Sequence, residues 1–587
     1  MRRWTRSWVV LTAAAIAACS SALDDSASSP RGSSNNGTTG GGGTSSPGGI
    51  NSAGGTSAVP PEQEEDQSFR APVVSGRWVW TANPDTGKVA VVDAKNFTVR
   101  LADAGSGPTY LTALPTASNT SKALVINVKS QDATLLSAGD GEAITALPPI
   151  PLQPDANAWA VSKTGKFALA WTDTQALTNL DPAQGFLAVT VIDLTGATPV
   201  PTRLVVGFLP SRVFINDAET QAFVVASTGI SVIDLTAAGG PSVLREEPVS
   251  RDLREDATTR DVSVLPDGSY ALIRHEGSAT ITLLDLADGS LQDVTLPGPV
   301  TDLDLVPDAK SALAVVRGAP QLQTGAAGAG GAGAGDSDAS TIGEGGTTAL
   351  DADASAPEGG APNGSPKVVR STLAILPIPG IFNQPDRFDT ASIDDVFGLV
   401  NIAPRGTQAL LYTNAVASSH ITVLQTAPGA SYLTSRRIDV HGDVRDVFPS
   451  PDGAYAIVSL LPQGTVTKPG FAVVPVGSLL PSHTQTTEAP VFAVAQSDGP
   501  NSRAIITVSD GAANFAAYVV RMPELVVDRV KLPSRPLAGA TGLVPDAGMA
   551  YIAESHPEGR ITFIDLETGV PRTITGFELS TKVVNGN

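Results

Sequence analysis

Five histidines, His275, His420, His441, His483 and His556, are the whole supply of imidazole in this chain, and the richest local cluster of catalytic side-chain types surrounds His275. Arg274-His275-Glu276 offers a base, an anion-stabilising guanidinium and a carboxylate in three consecutive positions, the set a lactone or ester hydrolase would draw on. Neighbours along a β-strand point to opposite faces, so His275 cannot act together with Arg274 and Glu276, and a solvated turn is the plainer reading of the triplet. The histidines show no zinc or copper spacing and no Cys-x-x-Cys-His pattern exists for covalent haem, so no metal and no cofactor is assigned. Trp78, Trp80, Trp159 and Trp171 have the ring faces for a sugar platform, but within apolar strands they read as packing between repeats.

The remaining reactive side chain is Cys19, the only cysteine. Arg2, Arg3 and Arg6 precede an apolar run over 8–18, too short to span a bilayer but suited to a signal-peptide core. The run ends Ile16-Ala17-Ala18-Cys19, which resembles the lipobox of bacterial lipoproteins. The resemblance implies removal of residues 1–18 and lipidation of Cys19, and a lone cysteine in an exported chain has no internal disulfide to form. The membrane attachment expected is therefore by acyl chains. Trp4-Thr5-Arg6 departs from the twin-arginine pattern and favours the general secretory route, while Ser20, by similarity to enterobacterial sorting rules, favours the outer membrane. Either face of that membrane is compatible with these signals.

Residues 19–72 then read as the lipidated cysteine and a disordered Ser/Gly-rich tether, since so few large apolar residues cannot bury enough surface to fold. About 50 such residues span roughly 40 Å, enough to hold a folded body clear of a lipid surface. The acidic group Glu62, Glu64, Glu65 and Asp66 keeps the end of the tether solvated and lacks turn residues that would organise a calcium site. With a net charge of −20 the chain repels nucleic acid, which is excluded as a partner, and repels anionic lipid surfaces.

The body over 73–587 is organised by a pattern returning roughly every 45 to 50 residues, the period of β-propeller blades. Its clearest copy is the turn Leu265-Pro266-Asp267-Gly268, the strand that follows, and a second strand ending Leu283-Leu284-Asp285-Leu286. The turn recurs around Pro307, Pro404, Pro451 and Pro545, and the strand-ending aspartate at Asp93, Asp193, Asp234 and Asp565, where it is expected to cap backbone amides of the next turn. About ten repeats are counted, in an all-β propeller of four-stranded blades, with one ring preferred to two tandem rings. The stretch 321–366 is a low-complexity, disordered insert between two strands of one blade, and its Gly and Asp spacing holds no calcium-binding nonapeptide register. The first repeat opens on a strand like the second of a blade, around Trp78, while Ser580-Thr581-Lys582-Val583-Val584 is spare. That C-terminal segment, or residues just before it, is expected to supply the missing strand and latch the ring.

Trp78-Val79-Trp80-Thr81-Ala82-Asn83, followed by Lys88-Val89-Ala90-Val91-Val92-Asp93, resembles the YVTN type of propeller repeat. Relatives of that type include surface-layer proteins, lactonase-like propellers and the haem d1 domain of nitrite reductases, so the resemblance implies a fold and a cell-surface setting without fixing an activity. The expectation is a lipid-anchored cell-envelope propeller serving as a protein- or glycan-binding or scaffold module. The alternatives are a lactonase-like or other hydrolase with a site at the propeller channel, and a structural surface-layer component that self-associates.

Overall fold

The computed structural model describes residues 72–576 and Leu579, apart from 116–119, 141–142, 175–176, 178–184, 253–254, 317–370, 427–434, 463–467 and 557. The strands sort into ten sheets in strict chain order, each an antiparallel meander of four strands. These are blades 1 to 10, covering 73–103, 108–151, 158–205, 212–247, 260–295, 300–393, 399–439, 443–486, 491–530 and 536–575. Blade 2 departs slightly, because its outer strand is split into Thr145–Ala146 and Ile150–Pro151, both paired to Asp132–Gly139. The fold is a β-propeller, as the period implied.

Blade 5 shows how the sequence makes a blade. Its strands are Arg260–Val264, Tyr270–His275, Thr280–Asp285 and Leu291–Thr295, numbered first to fourth. The middle two are covered on both sides, so they read as near-continuous apolar runs: Ala271, Leu272 and Ile273 are fully buried, as are Ile281 and Leu284. First strands of successive blades contact one another and line the centre, whereas fourth strands lie at the circumference and expose alternate residues. The core is distributed between blades. Phe223, Val225 and Val232 of blade 4 pack on Val262, Val264 and Ile273 of blade 5, and each such side chain fully buried contributes about 1.5–3 kcal/mol.

The turn residues behave as their chemistry dictates. Gly268 in the Pro-Asp-Gly turn has φ +77° and donates its amide to Leu265 O at 2.8 Å. A Cβ there would lie 2.6 Å from the Phe223 ring, so the glycine also admits the neighbouring blade. The strand-ending aspartates cap the following turn: Asp193 and Asp234 each accept a backbone amide two residues on at 2.8 Å, Asp285 at 2.7 Å, and Asp565 accepts two.

The ring closes differently from the expected latch. Blade 1 takes all four strands from 73–103, with Val73–Ser75 paired to the Trp78 strand as its first strand. No strand is missing for the C-terminus to supply, because the residues before Trp78 already form it. Closure is by side-chain packing: Val79, Ala90 and Val92 of blade 1 share a core with Val544, Met549, Tyr551 and Phe563 of blade 10. The buried Tyr551 phenol donates to Pro72 O at 2.8 Å across the same seam. Leu579 is buried in this core, and 580–587 lie outside the described residues. A single ring of ten blades follows, since each blade packs on the next and the tenth on the first.

Residues 1–71, which hold the expected signal peptide, Cys19 and nearly all of the expected tether, and the insert 321–366 also lie outside the described residues. The strands flanking the insert are described, and Val316 pairs with Thr372, so the chain leaves and rejoins the same edge of blade 6.

Candidate functional site

Antiparallel meanders place all turns between first and second and between third and fourth strands on one face of the ring. Connections between second and third strands, and the crossovers between blades, emerge on the opposite face. His275 ends the second strand of blade 5 and therefore sits at this loop face.

The structure separates the members of the triplet. His275 Nδ1 shares a hydrogen bond with Glu255 Oε1, from the crossover that enters blade 5, and Nε2 lies 3.3 Å from Thr282 Oγ1. Thr282 in turn donates to Asp293 Oδ1 at 3.0 Å. Arg274 points to the other face, opposite Asp261 in register, and Glu276 is exposed. His275 and Glu255 have only 16% and 17% of their side chains accessible, so little of the imidazole is left for a substrate.

The same bracket recurs in other blades with other residues, which assigns it to the repeat. In blade 7 the crossover residue Asp395 takes hydrogen bonds from His420 and from Thr422. Burial opposes ionisation of Asp395, but these bonds hold its carboxyl below the ordinary range. In blade 10 Glu554 accepts from Thr562 and from the Ser534 amide at 2.6 Å, and here burial prevails and pushes the carboxyl up. Thr190, Ser231, Thr282, Thr422 and Thr562 occupy the same position, three residues before the end of the third strand, and all are buried. Each hydroxyl ties its blade to a neighbouring strand or crossover, a structural duty that also accounts for His275 and His420.

The tryptophans are core residues. Trp80 is inaccessible and donates to Ser121 Oγ at 2.8 Å, and Trp159 donates to Tyr110 O at 3.0 Å, each bridging two blades. The packing interpretation of these side chains holds, and they offer no sugar platform.

The electrostatic focus of the ring lies on the first strands of blades 5 and 6, which the sequence reading passed over. Asp302 is buried, with Oδ1 accepting from the Leu303 amide at 2.8 Å and Oδ2 from the Val400 amide of blade 7 at 2.7 Å. Burial nonetheless pushes its carboxyl up to about 6, against those bonds and the charge of Arg274. Asp304 is raised well above the ordinary range by burial first, then by the like charges of Asp302 and Asp261. Asp261 is ion-paired with Arg212 of blade 4 at 3.0 Å. The signal was present in Thr301-Asp302-Leu303-Asp304-Leu305, where carboxylates alternate with leucines in a strand that must face the centre. Burial and like charge together favour the protonated form of these carboxyls over that of an exposed aspartate. Among the described residues no group of three or more His, Cys, Asp or Glu is placed to hold a metal ion.

No family model and no curated protein matches the chain. Among solved structures it is similar to dihydro-heme d1 dehydrogenase NirN in complex with DHE, at 11% identity and TM-score 0.41 over 79% of this chain and 76% of that one. It is also similar to a eukaryotic initiation factor, at 11% identity and TM-score 0.42 over 86% and 97%, and to apo AztD from Citrobacter koseri, at 11% and 0.33 over 66% and 92%. Identities this low bear on the fold alone, and the propeller is established independently by the order of its ten sheets.

Proposed function

We propose that this chain is a lipid-anchored propeller of the bacterial cell envelope, held at Cys19 and favouring the outer membrane, that serves as a binding or scaffold module for an envelope protein or glycan. The observation that carries the reading is the use of the catalytic side-chain types: His275 and His420 are tied into brackets that recur from blade to blade, leaving loops, rather than a reactive centre, as the variable part of the ring. Loops on a rigid scaffold are where binding surfaces are built. The loop face carries the largest departure from the repeat, the residues 317–370 between paired strands of blade 6. The tether length and the lipobox-like Ile16-Ala17-Ala18-Cys19 support the anchoring, and the hairpin of blade 1 supports kinship with YVTN-type repeats.

Two measurements test this. Metabolic labelling with a palmitate analogue should mark the wild-type chain and leave Cys19→Ser unlabelled and released from membranes; an unlabelled wild type refutes the anchor. Affinity capture from detergent-solubilised envelope, with the chain from Val73 onward and the same chain lacking 321–366, should retain a saturable protein or glycan partner on the first. Loss on the second assigns the contact to the insert, and capture of nothing by either refutes the binding reading.

A further inference from the structure

At the circumference, on the loop-face side, blades 8 and 9 part to leave a cleft of about 250 Å³. Its lining comes from both blades. Gln485 and Thr486 lie on the fourth strand of blade 8, Thr487 and Glu488 follow in the crossover, and Lys468 precedes the third strand. Tyr518, Val527 and Arg529 come from the third and fourth strands of blade 9, with Tyr518 and Arg529 directly opposed in register. The Tyr518 ring is buried edge-on against Phe471 at 5.5 Å, which fixes the floor of the cleft. Arg529 is paired with Glu488 at 2.8 Å, yet about half of each side chain stays accessible. Lys468 is exposed and makes no hydrogen bond or ion pair with any described residue.

We propose that this cleft binds a small polyhydroxylated ligand carrying a single carboxylate, an acidic sugar unit. The volume falls below the roughly 300–1,000 Å³ of sites for drug-sized molecules and suits one sugar ring. The Gln485 amide, the exposed Thr486 and the Tyr518 phenol supply neutral donors and acceptors, as hydroxyl groups require, while the buried Thr487 hydroxyl is held by Ala489 O at 2.7 Å. Val527, half-buried above the Tyr518 ring edge, presents carbon surface to the C–H face of a sugar. Lys468 and Arg529 supply cationic donors for a carboxylate, whereas Glu488 beside them repels a multiply charged anion such as phosphate. A neutral sugar would leave the unpaired ammonium of Lys468 unused. The site is separate from the long blade 6 connection, since none of its lining belongs to that segment.

The test is calorimetric titration of the chain from Val73 onward with glucuronate, with glucose and inorganic phosphate as comparison ligands. Glucuronate is expected to bind saturably, with a dissociation constant on the order of 1 mM, and about tenfold more tightly than glucose or phosphate. Lys468→Ala, on an exposed side chain, and Arg529→Gln should each weaken it about tenfold while leaving the thermal midpoint in place. A tetrasaccharide of uronate that binds more tightly than the monomer identifies a glycan as the source, and equal binding identifies a free sugar acid. No saturable binding of glucuronate, equal binding of phosphate, or affinity unchanged in both variants overturns the proposal.

Discussion

Replacing Asp304 by asparagine should remove a pH dependence that the ring owes to its centre. Asp302 has a folded-state pKa raised from 3.8 to about 6, with burial the main cause, and Asp304 is raised well above the ordinary range by burial and by the charges of Asp302 and Asp261. A carboxyl whose pKa is raised in the folded state contributes stability that is fully present below the unfolded value. That stability is lost as pH rises through the folded value, so the wild-type ring weakens between about pH 4 and pH 7. At about 1.4 kcal/mol per pKa unit the Asp302 shift alone corresponds to roughly 3 kcal/mol, an upper figure because the two carboxyls titrate together. Asparagine has nearly the same shape, and Asp304 is perturbed by burial and charge rather than by hydrogen bonds, so the substitution removes charge without removing a contact. It also relieves Asp302, whose two backbone amides and Arg274 then act without a like charge alongside. Urea midpoints measured at about pH 5 and about pH 7.5 should nearly coincide for Asp304→Asn and wild type at the lower pH and separate at the higher, with the variant about 1–3 kcal/mol more stable there. Parallel pH profiles for the two proteins would refute the reasoning, since they would mean that the central carboxyls titrate no differently in folded and unfolded chains.

Other consequences are equally direct. Gly268→Ala should cost about 2–4 kcal/mol, read as a lower denaturation midpoint, because φ is +77° and the new methyl would meet Phe223 of blade 4. Tyr551→Phe leaves Pro72 O without its donor at the seam of blades 10 and 1 and should lower stability by about 1–3 kcal/mol, the loss appearing first as hydrogen exchange in those two blades. His275→Ala should lower the thermal midpoint, costing about 1–3 kcal/mol from the broken bracket, and should leave turnover of lactone and ester substrates at the level of wild type. Truncation after Leu579 should leave the melting transition of the ring unchanged, because blade 1 already has its four strands; a drop of several degrees would restore the C-terminal latch.

Local chemistry made much of this protein legible before its structure. The Pro-Asp-Gly turns and strand-ending aspartates act over a few residues through fixed φ angles and side-chain caps, so their recurrence displays the blades directly, and Asp285 and Gly268 do in the fold what their types require. Alternation along a strand likewise separates His275 from Arg274, as the structure bears out. The relations between blades were decided by tertiary structure. Nothing near His275 in sequence announces Glu255 across a crossover, or that the bracket has counterparts at Asp395 and Glu554. Ring closure depended on whether three residues, Val73–Ser75, could serve as a strand, and packing against blade 10 determines that they do. The centre follows the same rule: the alternation of Asp302 and Asp304 with leucines stands in the sequence, but the shifts arise only when the ring brings Asp261 beside them and buries Asp302, because desolvation and like-charge repulsion need distant strands to meet.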